Sequence, residues 1–135
     1  MATRTQAREA VVGLLYAYEC GNTAIMQSAP HILQDRKIKN KQQDFALGLL
    51  GGVLERFEAL SGEVAKHLKE WDFDRLGQME KNILRLGAYE MLYTQTDAPI
   101  IINEAIELAK IYGEDNAPKL VNAVLDAISK QGRQI

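Results

Sequence analysis

Apolar residues recur along the chain at intervals of three and four, which is the spacing of amphipathic helices. This periodicity predicts helices over about residues 3–19, 23–34, 40–57, 74–94 and 99–113, with a last one from 118, and the third either continues or restarts near Leu60. No segment of four or more residues alternates with the period of a strand. The sequence therefore predicts an all-α fold of six to seven helices.

Residues that favour helix ends mark several of these boundaries. Asn40 with Gln43 three positions later is typical of a capping box, and Asp74 is the predicted N-cap of the helix over 74–94. Pro30 is expected to kink or split the second helix, because proline lacks a backbone donor and clashes with the preceding turn. Gly113 fits the C′ position of the helix that begins near Pro99.

The same periodicity predicts which side chains face the core. Expected inward positions are Ala7, Val11, Leu14, Leu15 and Tyr18; Leu76, Met79, Ile83, Leu86 and Leu92; Ile102, Ala105, Ile106, Ala109 and Tyr112; and Leu120, Val121, Val124, Leu125 and Ile128. Asn103 and Asn122 lie beside these stripes, and we expect both to hydrogen-bond neighbouring helices, since an unpaired buried amide costs about 1–3 kcal/mol. Glycines inside the helices, at 13, 48, 51, 52 and 87, are interpreted as points of close helix crossing.

Composition narrows the class of protein. A chain of 135 residues with 47% hydrophobic residues is expected to form a single domain over residues 1–135 with a real core. No apolar run approaches the roughly 20 residues that span a bilayer, and no signal peptide is recognisable, so we expect a cytoplasmic protein with no membrane association. Cys20 is the only cysteine and is expected to be a small buried hydrophobe.

The sequence offers little catalytic chemistry. His31 and His67 lack the partners of a zinc site, and no phosphate-binding loop or nucleophile elbow occurs. Glu104 and Glu107 share a helical face, but Lys110 follows three positions later, which is typical of a solvated face. We therefore expect no enzyme activity, no metal and no cofactor.

Basic and aromatic residues suggest a binding role instead. The net charge of −2 argues against coating nucleic acid by bulk electrostatics, so any such role must rest on a local patch. Arg4 and Arg8 share a helical face and could both reach phosphates, and residues 36–41 form a basic loop. Tyr16, His67 and Tyr112 are candidates for stacking on unpaired bases, although aromatics at helical spacing are more often core.

Four ordered motifs extend across the chain and resemble the NusB family of bacterial transcription antitermination factors. They are Ala7-Arg8-Glu9-x-x-Val12-x-x-Leu15-Tyr16, Leu76-Gly77-Gln78-Met79-Glu80-Lys81-x-x-Leu84-Arg85-Leu86-x-x-Tyr89-Glu90, the run from Ile102 to Lys110, and Val121-Asn122-x-Val124-Leu125-Asp126. The resemblance implies two packed helical subbundles. It also implies a non-catalytic role in the RNA polymerase antitermination complex, binding single-stranded boxA RNA of ribosomal RNA transcripts together with the ribosomal protein NusE.

The resemblance also implies roles for particular residues. RNA would be contacted by Arg4, Thr5, Gln6, Arg8, Tyr16, His67, Tyr112 and Lys119. NusE would be contacted by Glu80, Lys81 and Leu84, where a carboxylate suits a basic ribosomal partner.

Two alternatives remain open at the level of sequence. The chain could be a homodimeric helical interaction protein that masks its RNA-binding face until a partner competes. It could also be a helical RNA-targeting module of a ribosomal RNA methyltransferase system, although 135 residues leave no room for a methyltransferase domain.

Overall fold

The computed structural model describes residues 2–69 and 71–134, and these residues form seven α-helices and one short 3₁₀ helix. The α-helices are α1 Arg4–Glu19, α2 Ile25–Asp35, α3 Asn40–Glu55, α4 Phe57–Ala65, α5 Gln78–Tyr93, α6 Ala98–Tyr112 and α7 Ala117–Ser129, and the 3₁₀ helix is Phe73–Arg75. No strand occurs in the described part of the chain, and the predicted all-α fold is confirmed.

The chain divides into two compact units. Met1–Glu55 carries α1 to α3 and is called unit 1, and Arg56–Ile135 carries α4 to α7 and is called unit 2. The two helical groups correspond to the two subbundles that the family resemblance implies. The expectation of a single domain over all 135 residues stays a prediction.

Unit 1 is built on the contact between α1 and α3, with α2 packed against both. The predicted inward residues Ala7, Val11, Leu14 and Leu15 are all buried, whereas Tyr18 is only half-buried. A capping box starts α1: the Thr3 hydroxyl accepts from the Gln6 amide at 3.1 Å, and the Gln6 side chain accepts from the Thr3 amide at 2.9 Å. Pro30 lies inside α2 without splitting it into two helices.

Unit 2 is organised around α5, which contacts α4, α6 and α7. Predicted inward residues of α7, from Leu120 to Ile128, are all buried. The hydrophobic periodicity did not predict the buried polar residues of α5, among them Arg85. Its guanidinium donates to Ser61 Oγ at 2.9 Å and to Asn82 Oδ1 at 2.8 Å, and lies 4.0 Å from the centroid of the Phe57 ring. These two hydrogen bonds give the buried guanidinium acceptors for part of its N–H groups.

The predicted start at Asp74 is wrong, whereas the predicted start at Asn40 is correct. Asp74 is not an N-cap, because α5 begins at Gln78 and the Glu80 carboxylate accepts the Gly77 amide at 2.9 Å. α3 begins at Asn40, and the Gln43 side-chain amide donates to the Ile38 carbonyl at 3.2 Å; the capping box between Asn40 and Gln43 stays a prediction. At the start of α5, the capping interaction between Gly77 and Glu80 takes the place of the predicted Asp74 cap.

The inward face of α6 is rotated by about one residue from the predicted stripe. Ile101, Ala105, Leu108 and Ala109 are buried, whereas Tyr112 is exposed. This rotation leaves Asn103 exposed, and Asn122 on α7 is exposed as well, so neither is the buried structural amide that we expected.

Three further expectations from the sequence need correction. Cys20 is exposed, because it follows the last turn of α1 at the helix cap. Gly113 adopts an extended conformation with φ −102° and ψ 174°, so it does not need the left-handed region. Close helix crossing holds at Gly87, where a Cβ would lie 2.7 Å from Leu125 Cδ1, but Gly13 and Gly48 face open space.

None of the helices in residues 2–69 and 71–134 combines the length and the apolar character needed to cross a bilayer.

Candidate functional site

The two N-terminal arginines approach one aromatic ring in unit 1. The guanidinium carbon of Arg4 lies 4.4 Å from the centroid of the Phe45 ring, and that of Arg8 lies 5.1 Å from it. Arg4 is exposed, whereas Arg8 is only 3% exposed. Cation–π contact with Phe45 therefore holds an exposed guanidinium at the first turn of α1, while Arg8 lies beneath the surface.

The neighbouring polar residues at the start of α1 divide between surface and capping roles. Thr5 is exposed, and the Gln6 side-chain oxygen is engaged by the Thr3 amide. The first turn contains no acidic residue, so the positive end of the helix dipole and Arg4 add at the same place. This combination favours an anion such as a phosphate.

Tyr16 lies three turns further along α1 and is 44% exposed. Its hydrogen bond with the Cys20 side chain raises the pKa of the phenol, and the charge of that thiol group and slight burial act in the same direction. Tyr16 is therefore a neutral, accessible ring at physiological pH, as base stacking requires.

A cavity of about 630 Å³ in unit 2 brings together two of the predicted RNA-binding residues, His67 and Lys119. We call it the lysine cavity. Its lining consists of Lys66, His67, Leu68, Lys69, Trp71, Asn116, Lys119, Leu120, Ala123, Val124 and Ala127. Three cations surround an apolar floor, and no acidic side chain is among the described lining residues.

A short chain of hydrogen bonds orients His67 at this cavity. His67 Nε2 lies 3.0 Å from Gln131 Oε1, and the Gln131 amide donates to Glu63 Oε2 at 3.1 Å. Since the Gln131 oxygen can only accept, this contact selects the His67 tautomer that carries a proton on Nε2. Glu63 also pairs with Lys66 at 3.0 Å, which offsets part of that lysine's charge.

Glu80, a predicted partner-binding residue, has an internal role. It is only 6% exposed, and its two carboxylate oxygens accept the backbone amides of Gly77 and Glu114, each at 2.9 Å. The carboxylate thus ties the start of α5 to the segment between α6 and α7. Leu84 is fully buried, so any part it has in a partner interface is indirect.

Lys81 is the partner candidate that reaches the surface, at half-buried exposure and 5.2 Å from the centroid of the Phe73 ring. It borders a cavity of about 660 Å³ that we call the acidic cavity, lined by Glu58, Ser61, Gly62, Ala65, Trp71, Asp72, Phe73, Asp74, Lys81 and Arg85. Glu58, Asp72 and Asp74 are exposed. Their carboxylates make this side of unit 2 complementary to a basic protein.

The remaining candidates lie apart from these features. Tyr112 is 40% exposed at the end of α6 and does not line the lysine cavity. The four basic side chains of residues 36–41 are exposed, and Ile38 between them is buried and anchors the loop. In residues 2–69 and 71–134, no group of three histidine, cysteine or acidic side chains could hold a metal ion.

Sequence reasoning missed Phe45 and Trp71. Phe45 lies within the helix predicted over 40–57 and was not a candidate site residue, yet its ring contacts both arginines. Trp71 lies between two predicted helices and was not a candidate site residue, although it is 49% exposed and lines both the lysine cavity and the acidic cavity. The basic and aromatic residues between Lys66 and Trp71 were the sequence signal that could have indicated a role for Trp71.

Comparison with known families and curated proteins places these features in context. The NusB family model matches residues 5–130. A transcription antitermination protein NusB from Helicobacter hepaticus is 62% identical over 131 residues, covering 96% of this chain and 83% of that protein.

Solved structures share the fold. T. maritima NusB superimposes with a TM-score of 0.84 at 30% identity, covering 96% of this chain and 92% of that one. A crystal structure of the antitermination factors NusB and NusE in complex with dsRNA matches with a TM-score of 0.79 at 29% identity, covering 95% of this chain and 96% of that one.

Proposed function

Because the chain belongs to the NusB family, we propose that it acts in transcription antitermination by binding single-stranded boxA RNA together with NusE. Its role in the RNA polymerase antitermination complex is that of a non-catalytic adaptor. The relative solved with NusE and dsRNA supports both classes of partner.

The observation that carries the RNA part is the geometry at the start of α1. Arg4 is exposed, lies 4.4 Å from the centroid of the Phe45 ring and shares its turn with no acidic residue. A guanidinium held by a ring loses little side-chain freedom when it binds a phosphate. Arg8, at 3% exposure, supports this arrangement from below.

The partner part rests on the exposed acidic side chains beside Lys81. NusE, as a ribosomal protein, is expected to present basic residues, and Asp72 and Asp74 offer them complementary charge. Glu80 contributes by holding the start of α5 in place through Gly77 and Glu114.

Fluorescence anisotropy with labelled boxA RNA tests the proposal. The chain with NusE is expected to bind boxA RNA more tightly than a scrambled RNA at the same salt concentration, and more tightly than either protein does alone. Equal affinity of the pair for both RNAs would refute the proposed function.

The partner surface is tested separately by Asp74→Lys. This reversal is expected to weaken NusE binding several-fold, mainly through a slower association rate. Asp126→Lys is the matched control, because Asp126 is also exposed but pairs with Lys130 on α7. Equal effects of the two reversals would remove the acidic cavity from the interface.

A further inference from the structure

The lysine cavity combines features that none of its residues explains alone. Its volume of about 630 Å³ falls within the range of roughly 300–1,000 Å³ typical of small-ligand pockets. Lys66, Lys69 and Lys119 contribute three cations in a chain of net charge −2. Such a local concentration of positive charge, with no acid among the described lining residues, indicates an anionic ligand.

The apolar part of the lining indicates that the anion carries a flat, weakly polar group. Leu68, Leu120 and Val124 are buried residues that form the floor. Trp71 is 49% exposed at the rim, and an exposed indole face is a stacking surface for a nucleobase. An inorganic anion would not use either feature.

Polar side chains at the rim complete the match. Asn116 supplies an amide that can both donate to and accept from a base edge. His67 is oriented by Gln131, which lies 3.0 Å from its Nε2. A phosphate near the lysines and a base against Trp71 would therefore both find complementary groups.

We propose that the lysine cavity binds one nucleotide unit, with the phosphate at Lys66, Lys69 and Lys119 and the base stacked on Trp71. The nucleotide is either one residue of a bound RNA strand or a free 5′-nucleotide. In its RNA form the inference rests on the proposed function and adds to it a base-binding subsite on unit 2.

Trp71 is the only tryptophan of the chain, so a tryptophan label gives one signal. Because Trp71 also lines the acidic cavity, that signal is assigned to the lysine cavity only together with the lysine variants below. The full chain is labelled with 5-fluorotryptophan and titrated with uridine 5′-monophosphate, adenosine 5′-monophosphate or inorganic phosphate, and the single ¹⁹F resonance is followed. Either nucleotide is expected to shift the resonance with saturation. If phosphate alone produces the same shift at the same concentration, the cavity is a simple anion site and the inference is wrong.

A pair of double variants tests the lysines. Lys69→Gln with Lys119→Gln is expected to weaken nucleotide binding on the order of tenfold, because two charge-assisted contacts are lost. Lys110→Gln with Lys130→Gln removes the same charge from exposed pairs with Glu107 and Asp126, and it is expected to change affinity little. Equal affinity of the two double variants would overturn the assignment.

The RNA arm separates this inference from the proposed function. The labelled chain is mixed with NusE and boxA RNA, and RNA binding is measured in the same sample. The shift is measured relative to the labelled chain with NusE alone, because Trp71 also lines the acidic cavity proposed to face NusE. RNA binding with a resonance shifted from that reference supports a subsite for a residue of the RNA. RNA binding by the pair with an unshifted resonance, together with no shift from nucleotides, refutes the cavity and leaves the proposed function standing.

Failure of RNA binding with a nucleotide-dependent shift refutes the proposed function and supports a free-nucleotide site.

Discussion

Arg4 and Arg8 lie one turn apart on α1 and approach the same ring, yet burial separates their roles. Arg4 keeps its guanidinium at the surface, 4.4 Å from the Phe45 centroid, whereas Arg8 is 3% exposed. A buried arginine also contributes packing through its apolar stem. Under the proposed function, Arg4 is therefore the arginine available for RNA contact, and Arg8 supports the surface that carries it.

Substitution of each arginine separates these roles. Arg4→Gln is expected to weaken RNA binding and to make the negative slope of log K against log[salt] shallower by about 0.7. Loss of its cation–π contact with Phe45 is expected to cost at most about 1 kcal/mol of stability. Arg8→Gln is expected to lower the free energy of unfolding by about 1–3 kcal/mol, because a buried charged group loses its interactions. Urea unfolding and anisotropy at several salt concentrations measure both quantities. An unchanged slope for Arg4→Gln would remove it from the RNA contact.

Tyr16 and Cys20 interact near the end of α1. The hydrogen bond with Cys20 and the charge of its thiol group raise the pKa of Tyr16, so Cys20→Ala is expected to lower that pKa toward the ordinary tyrosine value. NMR titration of the Tyr16 ring carbon measures the change.

The sign of the stability effect follows from the raised pKa. The folded chain holds the phenol proton more tightly than the unfolded chain, so this contribution is complete below the ordinary tyrosine pKa and is lost as pH rises through the raised value. If the pKa of Tyr16 is the same in the wild type and in Cys20→Ala, Cys20 does not raise it.

At the scale of elements, the contact of α5 with α7 depends on a missing side chain. A Cβ on Gly87 would lie 2.7 Å from Leu125 Cδ1, and Leu125 is fully buried. Gly87→Ala is therefore expected to lower the free energy of unfolding by about 1–3 kcal/mol through overpacking. The loss is measured by denaturant unfolding.

Gly62→Ala on α4 is the matched control for this substitution. A Cβ there meets no atom within 4 Å, and alanine is expected to stabilise the helix by about 0.5–1 kcal/mol. If both variants changed stability in the same direction, close packing at Gly87 would not be the cause.

Glu80 links two elements of unit 2 through Gly77 and Glu114. Glu80→Gln keeps the shape but leaves one backbone amide without an acceptor, so a loss of about 1–3 kcal/mol in the free energy of unfolding is expected. Glu107→Gln removes only an exposed pair with Lys110 and is expected to cost less than about 1 kcal/mol. Thermal unfolding compares the two, and equal losses would show that the carboxylate does not hold these elements together.

At the scale of the whole molecule, basic and acidic residues nearly balance, so positive charge is concentrated only in local patches of the surface. The chain carries 16 basic and 18 acidic residues, so its overall field does not attract nucleic acid. Arg4, Lys66, Lys69 and Lys119 are the cations assigned here to phosphate contact. Four contacts set a limit of about −3 for the slope of log K against log[salt] for single-stranded RNA bound to this chain.

That slope is measured by anisotropy with the chain alone, and a second time with NusE present. The partner is expected to steepen it by adding its own contacts. A slope much steeper than −3 for the chain alone would show that further basic residues, such as those of the 36–41 loop, bind phosphate.

The sequence by itself determined the helical class, most helix bounds and most of the inward face of α7, because these depend on local periodicity and on proline. The four sequence motifs also indicated the NusB family, which the family model over residues 5–130 confirms. Position 74 shows that the choice of cap was not determined by residue type alone. An aspartate before a helix is a plausible cap, but the carboxylate that accepts the Gly77 amide comes from Glu80 inside α5.

Only the tertiary structure decided the roles of the site residues. Arg8 and Glu80 are buried, whereas Arg4 is exposed. The packed face of α6 differs from the predicted one, so Asn103 is exposed. Folding also placed Trp71 beside Lys119, 48 positions further along the chain, in one cavity. The physical reason is that a residue's exposure and its distant neighbours depend on how helices pack, and helical periodicity specifies a face without specifying what that face meets.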